Sequence, residues 1–239
     1  MNLPKIFIGV PTRNHAWALP KYLDAVLDLD YPKDKINIYF LVNDSPDGTF
    51  EILETFREKY SSDYCNVENE EINYGNLPDK REAGYRYILY PKFAVMKNHV
   101  KAKFLESGCD FWLQVDTDTI IKKDTLNLFL RHDKGYVCGT CSVDISGGYG
   151  ALNVLKRDAN GEYKRVSYEA LKSAKGLLKV SWVGGIAFIR KDIAAKCNYH
   201  VVDKKRDDTL GFCQDIEACK GKSVWVDPEV FLEHMMVRS

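Results

Sequence analysis

The sequence predicts an α/β fold, with a mainly parallel central sheet in its first half and a mixed, partly antiparallel second half. Short runs of β-branched and aromatic residues at positions 6–10 and 36–42 are typical of buried strands. Between them, Leu19, Leu23, Val26 and Leu27 recur at helical spacing. Because a strand, an amphipathic helix and a second strand in this order form a βαβ unit, we expect the two strands to be parallel.

The elements that follow continue this alternation. Asp47 is placed to cap a helix over residues 49–60 by accepting a backbone N–H at its start. Pro91 suits the first turn of the next helix, which Ser107-Gly108 closes. The apolar stripe of that helix comprises Phe93, Met96, Val100 and Phe104. This helix leads into a predicted central strand at residues 111–115.

The second half carries a hairpin signal. Asn160-Gly161 lies between two extended stretches, residues 152–157 and 162–166, and this dipeptide favours a tight turn between antiparallel strands. A chain of 239 residues is suited to one substantial core, so we expect a single domain over residues 1–239. Its halves would divide near residue 118, with a half of the nucleotide-binding type first and a mixed half after it.

The charge balance limits the classes of partner. Lys and Arg total 34, as do Asp and Glu, so the formal net charge is zero. No global basic field is then available to hold nucleic acid or an acidic membrane surface, and we expect neither partner. No apolar run approaches the ~20 residues that a membrane-spanning helix needs.

The first residues and the cysteines point to a compartment. The N-terminal residues lack the basic and long apolar regions of a signal peptide. Seven cysteines, an odd number, favour free thiols in a reducing compartment, so a cytoplasmic location is expected. Cys138 and Cys141 have metal-ligand spacing, but no second such pair exists, which favours a buried strand.

The central chemical feature is Asp116-Thr117-Asp118, directly after the predicted strand at residues 111–115. Residues i and i+2 of an extended chain project to the same side, so both carboxylates can meet one cation. Mg²⁺ or Mn²⁺ would complete its shell with phosphate oxygens and water. The alternative for Asp116 and Asp118 is a turn or the cap of a helix that begins near Asp124. Asp28-Leu29-Asp30 has the same spacing at a helix end, where solvated surface is the favoured interpretation.

Several motifs together resemble the GT-A glycosyltransferases, particularly the large inverting family 2. The strand and the D-x-D motif at residues 111–118 resemble the metal-binding element of that family. Residues 8–14 resemble its first strand and nucleotide-contacting loop, and residues 42–47 resemble the acidic motif of its second strand. Residues 96–100, 182–190 and 212–217 resemble three later segments in the matching order. The resemblance implies a metal-dependent transferase that moves a sugar from a nucleotide-sugar donor to a glycan, glycoprotein or glycolipid acceptor. The preferred donor is a UDP-sugar, and a GDP- or dTDP-sugar is the alternative.

The resemblance also implies site residues. Asp215 would be the catalytic base, Asp116, Asp118 and His234 would bind Mn²⁺ or Mg²⁺, and Trp182 would face the acceptor. The nucleotide-sugar would contact Pro11, Thr12, Arg13, Asn14, Asp44, Lys97, Asp116, Gly184 and Gly185. Plainer roles are open for several of them: helix capping for Asp215, a turn for Asp44, and core packing for Trp182. Thr12 and Arg13 could serve only the structure of their loop, and His234 could be a structural residue with satisfied hydrogen bonds.

Departures from the family pattern leave the acceptor open. Gln214 stands where an acid is usual, and the stretch from Tyr74 to Pro91 is longer and more basic and aromatic, with Arg81, Tyr85, Arg86, Tyr87 and Tyr90. The first strand is followed by neither a dinucleotide-binding glycine motif nor a P-loop. A sugar nucleotidyltransferase and a non-catalytic carbohydrate-binding protein are the remaining alternatives.

Overall fold

The computed structural model describes residues 3–75, 85–145, 148–202 and 207–235. The strands are β1 (Ile6–Thr12), β2 (Ile36–Asn43), β3 (Asn66–Ile72), β4 (Phe111–Val115), β5 (Thr119–Ile120), β6 (Tyr136–Ile145), β7 (Gly148–Leu152), β8 (Val154–Arg157), β9 (Tyr163–Arg165), β10 (Leu178–Val180), β11 (Trp182–Val183), β12 (Ile186–Arg190) and β13 (Val224–His234). The α-helices are α1 (Leu19–Leu27), α2 (Thr49–Tyr60), α3 (Tyr85–Glu106), α4 (Thr125–Leu130), α5 (Tyr168–Lys172), α6 (Lys191–Ala194) and α7 (Asp208–Ala218).

The first half forms the parallel part of the main sheet. Its strands stand in the order β4, β1, β2, β3, and every neighbouring pair is parallel. In β1, Ile6, Ile8 and Val10 pack into one buried cluster and Phe7 into the other, on the opposite face. A strand buried on both faces is expected in a parallel sheet covered by helices, and it explains the continuous apolar run.

The second half extends the same sheet in mixed directions. β12 is inserted between β4 and β6 and is antiparallel to both. β13 then runs parallel to β6, with a change of register between Val226 and Phe231, and antiparallel to β10 and β5. The predicted fold class, mainly parallel first and partly antiparallel later, is confirmed.

The hairpin around Asn160-Gly161 is also present. β8 and β9 are antiparallel, with Arg157 opposite Tyr163, and they form a smaller sheet with β11. Gly161 has φ +83°, a left-handed conformation that the missing side chain permits.

Helix α3 differs from its prediction at the start. It begins at Tyr85, so Pro91 lies inside the helix instead of in its first turn. Proline removes one backbone donor, but that loss does not end a helix whose later turns are held by burial. The expected apolar stripe holds the later turns of α3, since Met96, Val100 and Phe104 are buried. Of the stretch before Pro91, residues 76–84, including Arg81, lie outside the described residues.

Two other predictions concern burial. Cys138 and Cys141 lie in β6 and are buried, as expected of strand residues. Among the helices in the described part of the chain, none combines the length and the apolar character needed to cross a bilayer.

Candidate active site

Asp116-Thr117-Asp118 form a turn, the D-T-D turn, at the carboxyl end of the central strand β4. The backbone N–H of Asp116 donates to the carbonyl of Gly185 at 3.1 Å, since β12 runs antiparallel beside β4. The N–H of Thr119 donates to the Asp116 carbonyl at 2.9 Å, which closes a tight turn around Thr117. The pairing of β4 with β12 and this turn therefore fix the positions of both carboxylates.

Asp118 and His234 meet at this turn. β13 pairs with the short β5, placing His234 opposite Thr119, and the N–H of Met235 donates to the Asp118 carbonyl at 2.7 Å. The His234 Nε2 atom lies 3.5 Å from Asp118 Oδ2. The structure thus brings together two residues that the sequence separates widely.

The carboxylates crowd one another. Burial, and then the charge of Asp118, raise the pKa of Asp116 to about 6, while Lys97 and His234 act in the opposite direction. A buried carboxylate next to a second one is costly unless a positive charge lies nearby. The turn is therefore suited electrostatically to a cation.

The loops after β1 and β2 reach the same turn. The imidazole Nδ1 of His15 is hydrogen-bonded to the Thr117 hydroxyl. The N–H of Asn14 donates to Ser45 Oγ at 3.1 Å, and the N–H of Ala16 donates to Asp47 Oδ2 at 3.0 Å. The two loops and the D-T-D turn are therefore one connected unit.

Within this unit lie the residues predicted to contact the nucleotide: Pro11, Thr12, Arg13, Asn14 and Asp44. Asn14 and Asp44 both have positive φ, 52° and 44°, as expected where a strand turns sharply into a loop. The Thr12 hydroxyl and the Asn43 side-chain nitrogen are buried and make no hydrogen bond with the described residues. Because buried polar groups normally have partners, these two atoms fit a bound ligand.

Gly184 and Gly185 lie beside the carboxylates. Gly185 has φ +84°, and a Cβ there would lie 3.6 Å from Asp116 Oδ2. A Cβ on Gly184 would lie 3.0 Å from the Trp182 ring. The absence of side chains therefore keeps the space next to Asp116 open.

Lys97 connects the turn to the start of α7. Its Nζ lies 3.1 Å from Asp208 Oδ2 and donates to Thr209 Oγ1 at 3.0 Å. Burial opposes the charge on Lys97, but the carboxylates of Asp208, Asp207 and Asp116 raise its pKa above its ordinary value. Lys97 is therefore protonated at neutral pH and interacts with acids of both α7 and the D-T-D turn.

Asp207 is held between Lys97 and Trp182. It is the N-cap of α7, where its Oδ1 accepts from Thr209 N at 3.2 Å and from Trp182 Nε1 at 3.0 Å. Burial raises the pKa of Asp207 above its usual range, against the effect of Lys97. Trp182 is partly buried and packs on the core, so it orients Asp207.

Asp215 does not join this cluster. It lies about two turns beyond Asp208 on α7, about 10 Å along the helix axis. Its Oδ2 accepts from Asn198 N at 2.9 Å, and its Oδ1 lies 3.2 Å from His200 Nε2. The neighbouring Gln214 donates to the Tyr163 hydroxyl at 3.2 Å.

Sequence reasoning missed Asp207, Asp208 and His15. Residues 203–206 lie outside the described residues, but Asp208 to Gly211 form the first turn of α7. The available signal was an acidic N-cap followed by an apolar helix.

The site fits a divalent cation only in part. Within the described ranges, no three His, Cys, Asp or Glu side chains converge as a complete metal site. Asp118 and His234 form a two-residue set. Mg²⁺ and Mn²⁺ sites often use one or two carboxylates and take further oxygens from phosphate and water. The residues present therefore fit a cation that arrives with a phosphorylated ligand.

Solved structures share this fold. The chain superimposes on TarS of S. aureus in complex with UDP-GlcNAc, with a TM-score of 0.61, 16% identity, and coverage of 98% of this chain and 61% of that one. It also superimposes on a mannosyltransferase from Pyrobaculum calidifontis in complex with GDP-Man and Mn²⁺, with a TM-score of 0.59, 18% identity, and coverage of 99% and 58%. The fold is that of the GT-A glycosyltransferases.

The family follows from the sequence comparison. The chain belongs to glycosyltransferase family 25, whose N-terminal domain matches residues 3–172. It is 32% identical over 139 residues to procollagen galactosyltransferase 2 of the mouse. That match covers 56% of this chain and 22% of the relative's length. The motifs resemble family 2, whereas the match is to family 25; the expected relation to glycosyltransferases is confirmed.

Proposed function

We propose that this protein transfers a sugar from a nucleoside-diphosphate-sugar donor to an acceptor hydroxyl, with inversion at the anomeric carbon. The observation that carries the proposal is the meeting of Asp118 with His234 at 3.5 Å, beside Asp116. Open α/β sheets bind ligands at the carboxyl ends of their strands, and this meeting point follows the central strand β4.

The donor would lie across the linked loops. Asp44 and the residues Pro11 to Asn14 would contact the nucleoside, and Thr12 supplies a buried hydroxyl with no hydrogen bond to the described residues. A UDP-sugar is the preferred donor, supported by the UDP-GlcNAc complex of TarS, and a GDP-sugar is the alternative, supported by the GDP-Man complex. Gly184 and Gly185 would leave room for the donor sugar next to Asp116.

Asp118 and His234 would hold Mn²⁺ or Mg²⁺, with Asp116 nearby. A divalent cation there would neutralise charge on the diphosphate leaving group. Lys97 supplies a fixed positive charge near Asp116 and is held in place by Asp208. The chain's own residues would therefore orient the diphosphate before any bond breaks.

Two carboxylates compete for the role of base. The sequence resemblance proposes Asp215, which faces Asn198 and His200. The contacts favour Asp207, which is linked through Lys97 to the D-T-D turn and has a raised pKa. A base whose pKa lies closer to neutrality transfers protons more effectively, so we assign to Asp207 the acceptance of the acceptor hydroxyl proton.

The acceptor would carry a hydroxyl on a glycan, glycoprotein or glycolipid. The name of the mouse relative, a procollagen galactosyltransferase, supports a glycoprotein acceptor and a galactosyl donor as the first to test. Trp182 would act on this side through its hydrogen bond to Asp207.

The deciding experiment measures thermal stabilisation by UDP-, GDP- and dTDP-sugars, with and without Mn²⁺. A donor that binds the folded protein raises its melting temperature by mass action, so the donor with the largest shift identifies the preferred nucleobase and sugar. We expect a shift only when a nucleotide-sugar and metal are both present. The absence of any shift across the panel at millimolar donor would reject the donor site, and a retained anomeric configuration by NMR would reject inversion.

A further inference from the structure

Residues 197–200 run along one face of α7. Gly211, Asp215 and Cys219 are spaced by four residues, so they lie above one another on a helix. A Cβ on Gly211 would lie 2.1 Å from the His200 carbonyl, which shows how closely the segment approaches. One turn on, Asp215 contacts both His200 and the N–H of Asn198.

This antiparallel alignment places Cys197 at the next turn, beside Cys219. The N–H of Cys219 donates to the Asp215 carbonyl at 3.2 Å, so Cys219 still follows the helical path. After burial, the Cys219 thiol is among the groups that raise the pKa of Cys197, in keeping with the position of the two side chains on the same turn. Both residues are free thiols; Cys197 is fully buried and Cys219 is partly exposed.

We propose that Cys197 and Cys219 form a reversible intramolecular disulfide that fastens residues 197–200 to the C-terminal end of α7. The oxidant is a low-molecular-weight disulfide. The Cys219 thiolate attacks one of its sulfurs, which forms a mixed disulfide and releases one thiolate. The Cys197 thiolate then attacks Cys219 Sγ and displaces the second thiolate. Two protein thiols lose two protons and two electrons, and the oxidant becomes two thiols.

The surroundings of the two thiols set the order of these steps. Only Cys219 is accessible from solvent, so it reacts first. Burial raises the pKa of Cys197 to about 12, so its thiolate is scarce and its attack is the slower step. Lys101 donates to the Cys197 carbonyl at 2.8 Å and holds this backbone against α3. The closing step therefore needs no large movement of the chain.

The consequence concerns the helix rather than the reaction. The opposite end of α7 carries Asp207 and Asp208 next to Lys97. A cross-link at Cys219 restrains that helix without contacting the site. We therefore expect oxidation to raise the melting temperature, because a cross-link limits the unfolded chain.

The test uses the full chain, equilibrated with mixtures of reduced and oxidised glutathione. The protein is then denatured, its thiols are counted by alkylation, and its peptides are mapped by mass spectrometry. The reduced protein has seven cysteines, and the internal disulfide should remove two reactive thiols without adding the mass of glutathione. A thiol lost to a mixed disulfide, as at the exposed Cys65, carries that mass and is counted separately. The linked peptides should contain Cys197 and Cys219, and the melting temperature should rise with the oxidised fraction.

Three variants complete the design. Cys197→Ser and Cys219→Ser should each remove the linked peptide and the rise in melting temperature. Cys65→Ser, at an exposed thiol, should keep both. Because Cys197 is buried, Cys219→Ser decides the matter if Cys197→Ser folds poorly. Seven reactive thiols under fully oxidising conditions, or a linkage through any other cysteine, would overturn the proposal whether or not the protein transfers sugar.

Discussion

The imidazole of His15 accepts or donates a hydrogen bond at the hydroxyl of Thr117, the middle residue of the D-T-D turn. The backbone N–H of His15 also donates to Thr49 Oγ1 at 2.9 Å, at the start of α2. One residue therefore connects the loop after β1, the helix after β2 and the turn after β4. Removing its side chain should disturb the geometry of the turn more than the stability of the fold.

We expect His15→Ala to lower kcat about tenfold or more. A reacting group that is displaced from its productive position reacts more slowly, even when the hydrogen bonds of that group are kept. The melting temperature should fall by only a few degrees, because one hydrogen bond contributes about 1 kcal/mol. His15→Asn, which retains a polar side chain, should recover part of the activity. Equal activity in the wild type and His15→Ala would show that the contact has no positioning role.

A second prediction concerns the metal. Asp118→Ala should lower activity at least about a hundredfold, because one carboxylate of an electrostatic clamp is worth several kcal/mol in the transition state. His234→Ala should raise the Mn²⁺ concentration needed for half-maximal activity. Asp28→Ala is the matched control: it belongs to a second D-x-D of identical spacing, at the exposed end of α1. Full activity in excess EDTA would exclude the metal.

The choice of base is a third prediction. Asp207→Asn can still accept the cap hydrogen bond from Thr209 but cannot take a proton, so transfer should fall by about 10²–10⁴. Donor binding, followed by calorimetry, should change little. Asp215→Asn should keep turnover within about threefold of the wild type. The reverse pattern would return the base to Asp215.

Gly185 and Gly161 offer a matched pair for the fourth prediction. Both have nearly the same positive φ, +84° and +83°, so alanine should strain either position by about 1 kcal/mol. A Cβ on Gly185 lies near Asp116, whereas one on Gly161 has nothing within 4 Å. Gly185→Ala should therefore weaken donor binding in addition, as measured by calorimetry. Equal donor affinity in the two variants would contradict the position of the sugar.

The fifth prediction uses the pH dependence of stability. Burial opposes the charge of Glu70, but hydrogen bonds from Lys103 and Tyr39 and the proximity of His99 lower its pKa. A carboxylate with a lowered folded pKa stabilises the protein above its unfolded pKa, and this contribution is lost as the pH falls through the folded value. Glu70→Gln should thus reduce the unfolding free energy by about 1 kcal/mol at pH 7, with little difference below about pH 3. A difference that is constant over this range would exclude ionisation as its cause.

Local signals explain which elements were predicted correctly. The strand at residues 111–115 was predicted with its observed bounds, because an apolar run lies between Gly108 and Asp116. The predicted start of α3 was wrong: the helix begins six residues before Pro91, which was expected in its first turn because proline is common there. Propensity describes where helices tend to begin, and the surrounding fold decides where they do begin.

The site shows the corresponding limit. The contact of Asp118 with His234 depends on the pairing of β13 with β5, which no local pattern encodes. The resemblance placed both residues at the metal, and the structure brings them together. The resemblance could not reveal that Asp207 and Asp208 of α7 lie near Lys97, because their position follows from the packing of α7 against α3.

The position of β13 has a consequence for biosynthesis. It is the last strand of the described chain to leave the ribosome, yet it lies between β6 and β10 and supplies His234. The parallel strands β1 to β4 can pair while later residues are still being made. Until residues 224–234 emerge, however, β6 keeps an unpaired edge, the type of surface on which nascent chains associate with one another. Nascent molecules that stall before β13 would therefore be prone to aggregation and would lack His234 at the D-T-D turn.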